Sequence, residues 1–276
     1  MSALSNHRPG ASPIRRSGRA RAAAAHAVSL TLALGLLAAC ASAPPSSGQS
    51  LSSYDGLART KARRTQVSAR ADSAMLMGAR TVRIEPVTFA DDARSNATPA
   101  QRGLIANAIE RTLCHDLRTR FEIVTAPDTA NLTVRTVVTR VKPTDAGAAA
   151  LSVAVSMVIP APRLPLGLGG FAAEAEALKP EGGQAAAMTW SRNADLFSGK
   201  RVSSVGDAYD LSTRFAHDLS TLLAKEKDRS LPRLSQSSKP VSSTCAIYGR
   251  SPGLSGTVAG LLGAPPEWTD GHRPGR

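Results

Sequence analysis

Two His-Asp pairs, His115-Asp116 and His217-Asp218, offer the most obvious chemistry in this chain of 276 residues. Imidazole beside carboxylate can hold a divalent metal or move a proton, and metal-dependent phosphohydrolases use such pairs with further ligands on other helices. Both pairs fall in segments expected to be helical, where adjacent side chains point about 100° apart, so neither pair can chelate alone. Beyond residue 39 only His272 is left as a third histidine. The expectation is therefore polar helix-face residues and no metal. Gly167-Leu168-Gly169-Gly170 lacks the strand-to-helix setting of a phosphate loop. No serine has a persuasive base. Asp91-Asp92 and Glu174/Glu176 read as turn and strand-face carboxylates without a surrounding acid–base pattern. These residues predict a protein that is not an enzyme and that carries no cofactor.

The three cysteines say more. Met1–Arg21 is polar and bears Arg8, Arg15, Arg16, Arg19 and Arg21. Ala22–Ala39 has no formal charge and is shorter in its apolar centre than the roughly 20 residues a spanning helix needs. It closes on Leu37-Ala38-Ala39-Cys40, which resembles the lipobox: a branched apolar residue, two small residues, then cysteine. The expected chemistry is diacylglyceryl transfer to the Cys40 thiol, cleavage between Ala39 and Cys40, and acylation of the new amine. One acyl chain is marginal as a tether, whereas two or three are stable. The alternatives are an ordinary secretory signal with a chance cysteine, or a twin-arginine signal at Arg15-Arg16, against which Ser17 and Gly18 speak. Ala41, rather than aspartate, follows the cysteine. By resemblance this favours the outer membrane, on its periplasmic face, over the inner membrane. Export would leave Cys114 and Cys245 in an oxidising compartment, where pairing is expected. Two unpaired thiols, one buried in a helix, are the other reading. There is no Cys-x-x-Cys and no zinc spacing.

Composition sets bounds on the partners. Hydrophobic residues make up 42% of the chain and aromatics only 4%, so aliphatic side chains and alanine must fill the core. The net charge is +13, and with five arginines and no acids in the first 39 residues the remainder carries +8. A basic surface suits anionic lipid, lipopolysaccharide, peptidoglycan or nucleic acid. Arginine-borne charge with abundant alanine also follows from GC-rich coding. Nucleic acid is not an expected partner, because export removes the chain from it and no aromatic platform interleaves with the basic residues.

The elements that would position these residues read as follows. Residues 1–39 form the signal and 40–60 the lipidated cysteine with a flexible Ser/Pro/Gly linker. Residues 61–228 form the folded domain, and 229–276 a basic Pro/Gly-bearing tail without clear periodicity. Within the domain, Thr81–Phe89 reads as a strand with a bend at Pro86. Thr98-Pro99-Ala100-Gln101 is a capping box opening a helix to about Arg120, with Ile105, Ile109, Leu113 and Leu117 on one face. Phe121–Thr125, Asn131–Lys142 and Ala149–Ile159 read as strands, the last from its alternation of Leu151, Val153, Val155, Met157 and Ile159 with small residues. Phe171–Leu178 and Ala185–Arg192 form a hairpin. Asp207–Lys225 is a second amphipathic helix, with Ala208, Leu211, Phe215, Leu219 and Leu222 inward. The expected fold is α+β: a mostly antiparallel sheet of about five to six strands with two helices packed on one face.

Three stretches carry a family resemblance. Leu51-Ser52-Ser53-Tyr54-Asp55-Gly56-Leu57, Val82-Arg83-Ile84-Glu85-Pro86-Val87-Thr88-Phe89 and the Phe171–Lys200 hairpin region resemble a bacterial lipoprotein family of unknown function, DUF3313. The resemblance spans roughly Leu51 to Lys225. It departs in the hairpin turn, where an acidic, threonine-bearing turn is more usual. It implies an envelope lipoprotein and supplies no activity or catalytic residues. The expected function is thus a tethered, non-catalytic accessory or assembly component that binds envelope proteins. The alternative is a binding module or carrier for lipid, lipopolysaccharide or peptidoglycan, with an apolar groove beneath Pro160–Gly170.

Overall fold

A computed structural model describes residues 49–61, 64–158, 167–195, 201–225, 245–249 and 252–270. Eight strands occur among them: β1 Ala58–Lys61, β2 Gln66–Ala71, β3 Thr81–Ile84, β4 Thr88–Phe89, β5 Glu122–Ile123, β6 Leu132–Lys142, β7 Gly170–Leu178 and β8 Gln184–Asn193. The described helices are α1 Ser73–Met77, α2 Asp91–Ser95, α3 Pro99–Leu117, α4 Ala146–Val158, α5 Gly206–Lys225, α6 Leu254–Leu261 and α7 Pro266–Thr269. The strands form one mixed sheet in the order β1-β2-β8-β7-β6-β3-β5, with β4 also paired to β6. The long ladders β6–β7, β7–β8 and β2–β8 are antiparallel, and the short β3, β4 and β5 pair in parallel.

Along β7 the side chains alternate between the two faces of the sheet. Phe171, Ala173, Ala175 and Ala177 enter the main core with Met188 and Trp190 of β8 and Val134 and Val138 of β6. Helices α3 and α5 pack on each other, and α5 also packs on β7 and β8. Helix α3 contributes Ile105, Ile109, Leu113 and Leu117, all fully buried. Helix α5 contributes Ala208, Leu211, Phe215 and Leu219, with Leu222 only partly buried. Because alanine lines so much of the sheet, the helices sit on a shallow surface. Phe171, Trp190 and Phe215 fill the middle, with ring centroids 6.0–6.1 Å apart in edge-on and tilted contacts. At the start of α3, Thr98 and Gln101 cap each other reciprocally and Pro99 occupies the first turn. Such a box removes two otherwise unpaired backbone donors.

The sheet is larger than the sequence indicates, and helices are more numerous. β1 and β2 (ARTK and QVSARA) are short and polar, and their strand character comes from antiparallel pairing, β2 with the β8 edge and β1 with β2. Thr81–Phe89 is two strands rather than one, interrupted at Glu85-Pro86-Val87. The interruption holds because Val87 N–H donates to the buried Glu110 carboxylate at 2.8 Å instead of to a neighbouring strand. Ala146–Val158 is an α-helix, not the strand expected over Ala149–Ile159. A continuously apolar run does not distinguish the two periods. The alanine-rich start favours a helix, and the Asp145 carboxylate accepts from Ala148 N–H at 3.0 Å at its N-terminus. Of the 229–276 tail, 245–249 and 252–270 are described and hold a 3-10 turn, α6 and α7. Of the 40–60 stretch, residues 49–60 are described and lie docked on the domain. No helix among the described residues is long and apolar enough to cross a membrane.

Cys114, buried in α3, forms a disulfide with Cys245, also buried, across 131 residues of sequence. Past that link the chain is held again by a buried cluster. Asp270 accepts from Arg111 at 2.9 Å and from the Tyr209 hydroxyl at 2.7 Å. Burial, followed by the Asp270 charge and hydrogen bond, pushes the Tyr209 hydroxyl well above the ordinary tyrosine range. Closing so long a loop restricts the unfolded chain strongly. Cys245→Ser is expected to lower the unfolding free energy by about 2–4 kcal/mol in chemical denaturation. In the native protein, neither thiol should alkylate without reductant, even after denaturation.

Candidate functional site

The His-Asp pairs do not converge on a metal. His217 Nδ1 lies 3.0 Å from Asp116 Oδ2, linking α5 to α3 across the outside of the helix pair. Asp218 turns the other way and accepts from Trp190 Nε1 at 2.8 Å. His115 is half-buried, and burial first, then the charges of Arg118 and Arg111, lower its pKa below the usual histidine value. No group of three or more metal-ligating side chains occurs among the described residues. In the Gly167–Gly170 stretch, Gly169 N–H donates at 2.7 Å to the buried Asp207, which also accepts from Thr144 Oγ1 at 3.0 Å. That glycine run is a packing joint between β7 and α5. Asp91 and Asp92 sit in the first turn of α2, where carboxylates suit the helix dipole. Ala39 and Cys40 lie outside the described residues, as do the loop at 160–166 and His272.

Two built features remain. The first is on the face of the sheet away from α3 and α5. Glu174 and Glu176 alternate with the core alanines of β7, so both carboxylates point to this face, and both residues are 1% exposed. Segment 50–54 supplies the donors they need. Glu174 Oε2 accepts from Ser50 N–H at 3.1 Å and from the Tyr54 hydroxyl at 2.6 Å. Glu176 Oε2 accepts from Ser52 N–H at 2.8 Å, Ser52 Oγ at 2.6 Å and Gln184 Nε2 at 2.7 Å. Arg135, opposite on β6, forms an ion pair with Glu176. Burial alone would raise the Glu176 pKa, but the Ser52 and Gln184 hydrogen bonds and the Arg135 charge together outweigh it and hold it below the usual value. Burial and the hydrogen bond to Glu174 raise that of Tyr54. The result is a strap: the chain that follows residue 49 is clasped to the back of the sheet. Composition alone assigns residues 40–60 to a flexible linker, whereas Ser50, Ser52 and Tyr54 are clasped to the sheet. The usable signal was Leu51 and Tyr54, two side chains out of place in a flexible Ser/Gly run.

The second feature is a groove of about 670 Å³ where the sheet runs past its helices. Helix α5 covers β7 and β8, and β2 lies beyond them, so Val67 and Ala69 join Met188, Trp190 and Leu222 as apolar lining. Arg192, Arg214, His217 and Lys225 lie around it. Arg192 shares the Asp195 carboxylate, at 2.8 Å, with Arg64 at 3.1 Å, whereas Arg214 and Lys225 are exposed and form no ion pair among the described residues. This groove is not the one expected beneath Pro160–Gly170. It arises from the β1–β2 extension, which the sequence did not disclose. Chemically it offers an apolar trough with cations at its edge. Among its described lining residues, His217 pairs with Asp116 and Asp218 with the Trp190 indole, and neither is hydrogen-bonded to a hydroxyl.

These features define a class of protein: an α+β domain with a clasped N-terminal strap, a stapled C-terminal segment and an open amphipathic groove. The chain belongs to the family described as "Protein of unknown function (DUF3313)", which matches residues 47–219. No curated protein matches it. Among solved structures it is similar to the PelC dodecamer from Paraburkholderia phytofirmans, at 12% identity and a TM-score of 0.38, covering 58% of this chain and 97% of that one. A point-substituted form of the same dodecamer gives 16% identity and a TM-score of 0.37, covering 58% and 98%.

The clasp predicts a pH dependence with a definite sign. A carboxylate whose folded pKa is depressed stabilises fully above its unfolded value and loses that stabilisation as pH falls through the folded one. For Glu176 the unfolded value is about 4.5, so the strap should be held at neutral pH and released only in more acidic solution. Glu176→Gln should destabilise the clasp by about 1–3 kcal/mol at pH 7. Hydrogen exchange, read as protection factors of the Ser50 and Ser52 amides, should report this as lower protection in the variant at pH 7, and the difference from the native protein should shrink as pH falls through the Glu176 transition.

Proposed function

We propose that this protein is a lipid-anchored lipoprotein of the bacterial envelope, facing the periplasm, that acts without catalysis as an accessory or assembly component binding envelope proteins. The observation that carries the reading is Leu37-Ala38-Ala39-Cys40 at the end of an uncharged apolar stretch behind an arginine-bearing start. The Cys114–Cys245 bridge supports it, because structural disulfides persist in oxidising compartments. The strap supports it too. A membrane tether needs a firm point of attachment on its domain, and the clasp at Ser50, Ser52 and Tyr54 provides one ten residues after Cys40. Ala41 after the cysteine favours the outer membrane. The DUF3313 family assigns no activity to carry over.

A second reading is a carrier for an amphiphilic envelope ligand, lipid or lipopolysaccharide. The groove favours it, since an apolar trough with exposed Arg214 and Lys225 suits an acyl chain bearing an anionic head.

Metabolic labelling with a palmitate analogue tests the anchor. The native protein should incorporate label and sediment with outer-membrane fractions, and Cys40→Ser should lose the label. An unlabelled native protein would refute the anchor. Cross-linking and mass spectrometry of mildly solubilised protein separates the two functional readings. A reproducible envelope-protein partner supports the accessory role, whereas a specific lipid or glycan without protein supports the carrier.

A further inference from the structure

Helix α6 has its amphipathicity turned outward. A surface helix ordinarily buries its large apolar side chains and shows its polar ones. Here the small residues face inward. A Cβ added at Gly260 would lie 2.6 Å from the Arg201 guanidinium, and one at Gly256 would lie 2.9 Å from the Thr269 carbonyl oxygen. The helix therefore rests on the domain through its glycines. Arg201 completes the seat, donating to Ala264 O at 3.3 Å and Thr269 Oγ1 at 3.1 Å. Leu254, Val258, Leu261 and Leu262, spaced to share one side, face solvent, with Leu254 89% and Leu261 78% exposed. Trp268 of α7 is 81% exposed. Eight large hydrophobic residues are exposed among those described, and these five fall within fifteen positions on two helices that pack on each other, so they are not scattered exceptions.

We propose that α6 and α7 form a second membrane contact, laying this surface on the bilayer to which Cys40 is tethered. The inference rests on the lipid-anchor reading for its choice of occupant. From Ser251 to Pro266 the chain has no charged residue. The two acids that follow are turned into the domain: Glu267 accepts from Ser203 Oγ at 2.8 Å, and Asp270 is held by Arg111 and Tyr209. The surface therefore offers a bilayer apolar contact and an exposed tryptophan, a residue enriched at membrane interfaces, with no exposed carboxylate. The +8 charge of the chain beyond residue 39 is complementary to anionic lipid. Reach is the third argument. The ten residue steps from Cys40 to the clasped Ser50 extend to at most about 35 Å. A weak apolar contact on such a short leash acts at a high effective concentration. It supplies a second signal beside the acyl chains.

Tryptophan emission tests the contact directly, because the chain has two tryptophans and Trp190 is 1% exposed inside the core. The purified, processed protein is reconstituted in phosphatidylethanolamine–phosphatidylglycerol vesicles with brominated acyl chains. The expected result is loss of the Trp268 emission relative to unbrominated vesicles. The loss should disappear in Trp268→Phe and shrink in Leu254→Glu/Leu261→Glu, both with the disulfide and circular dichroism unchanged. Intact mass of the same sample reports lipid on Cys40 separately, so failure of the anchor and failure of the contact are distinguishable. Unquenched Trp268 overturns the contact, whether or not Cys40 carries lipid. Trp268 that is unquenched but cross-links to an envelope protein reassigns the surface to a protein partner. Quenching on added vesicles by protein without lipid on Cys40 supports the contact and removes only the tether.

Discussion

A carboxylate placed in the middle of a sheet must find donors or lose its charge, and β7 carries two of them on the same face. Glu174 and Glu176 are separated by Ala175, whose side chain enters the opposite core. One strand therefore does two incompatible things at once. Its front is alanine and phenylalanine packed under α3 and α5, and its back demands hydrogen bonds. Arg135 and Gln184 answer part of that demand from the neighbouring strands, and Ser50, Ser52 and Tyr54 answer the rest from more than a hundred residues away. The strap thus closes the back of the sheet and also fixes where the chain leaves the domain.

The other end of the chain is held by a different chemistry to a similar end. The Cys114–Cys245 disulfide and the Arg111–Asp270–Tyr209 cluster both attach the C-terminal segment to α3 and α5. Between these two attachments lie α6 and α7, held at both ends and seated on Arg201 through glycines. A segment restrained in this way can show large apolar side chains to solvent without collapsing onto the core. It is the geometry needed to present an apolar surface, and a free tail of the same sequence would not hold it.

The groove follows from the same economy of packing. An alanine-rich sheet gives α5 a shallow seat over β7 and β8, and strands β1 and β2 then extend beyond the helix. Val67 and Ala69 are left half-buried at the margin, with Trp190 anchored to Asp218 beside them. The two His-Asp pairs serve this architecture. One member of each bridges α3 to α5, and Asp218 orients the tryptophan.

Where local physics decides the outcome, the sequence was legible. The capping box at Thr98, the four-residue spacing of Ile105, Ile109, Leu113 and Leu117, the β-branched run of β6 and the amphipathic stripe of α5 each read correctly, because each signal is contained within one element. The family was legible too, from the opening segment and the first strand. Two kinds of feature were not. Ala146–Val158 has a uniformly apolar composition in which periods of 2.0 and 3.6 are both satisfied, and its capping aspartate and alanine-rich start settled the matter. β1, β2 and the strap are short and polar with no stripe of their own, and the apolar stripe of α6 faces solvent rather than a core. Their structure comes from partners distant in sequence: the β8 edge, the buried carboxylates of β7, and the cysteine and arginine of α3. Sequence alone determined the two long helices α3 and α5 and the central β6–β7–β8 ladder. Only the tertiary structure decided what the buried charges would bind, and therefore where the two ends of the domain are held.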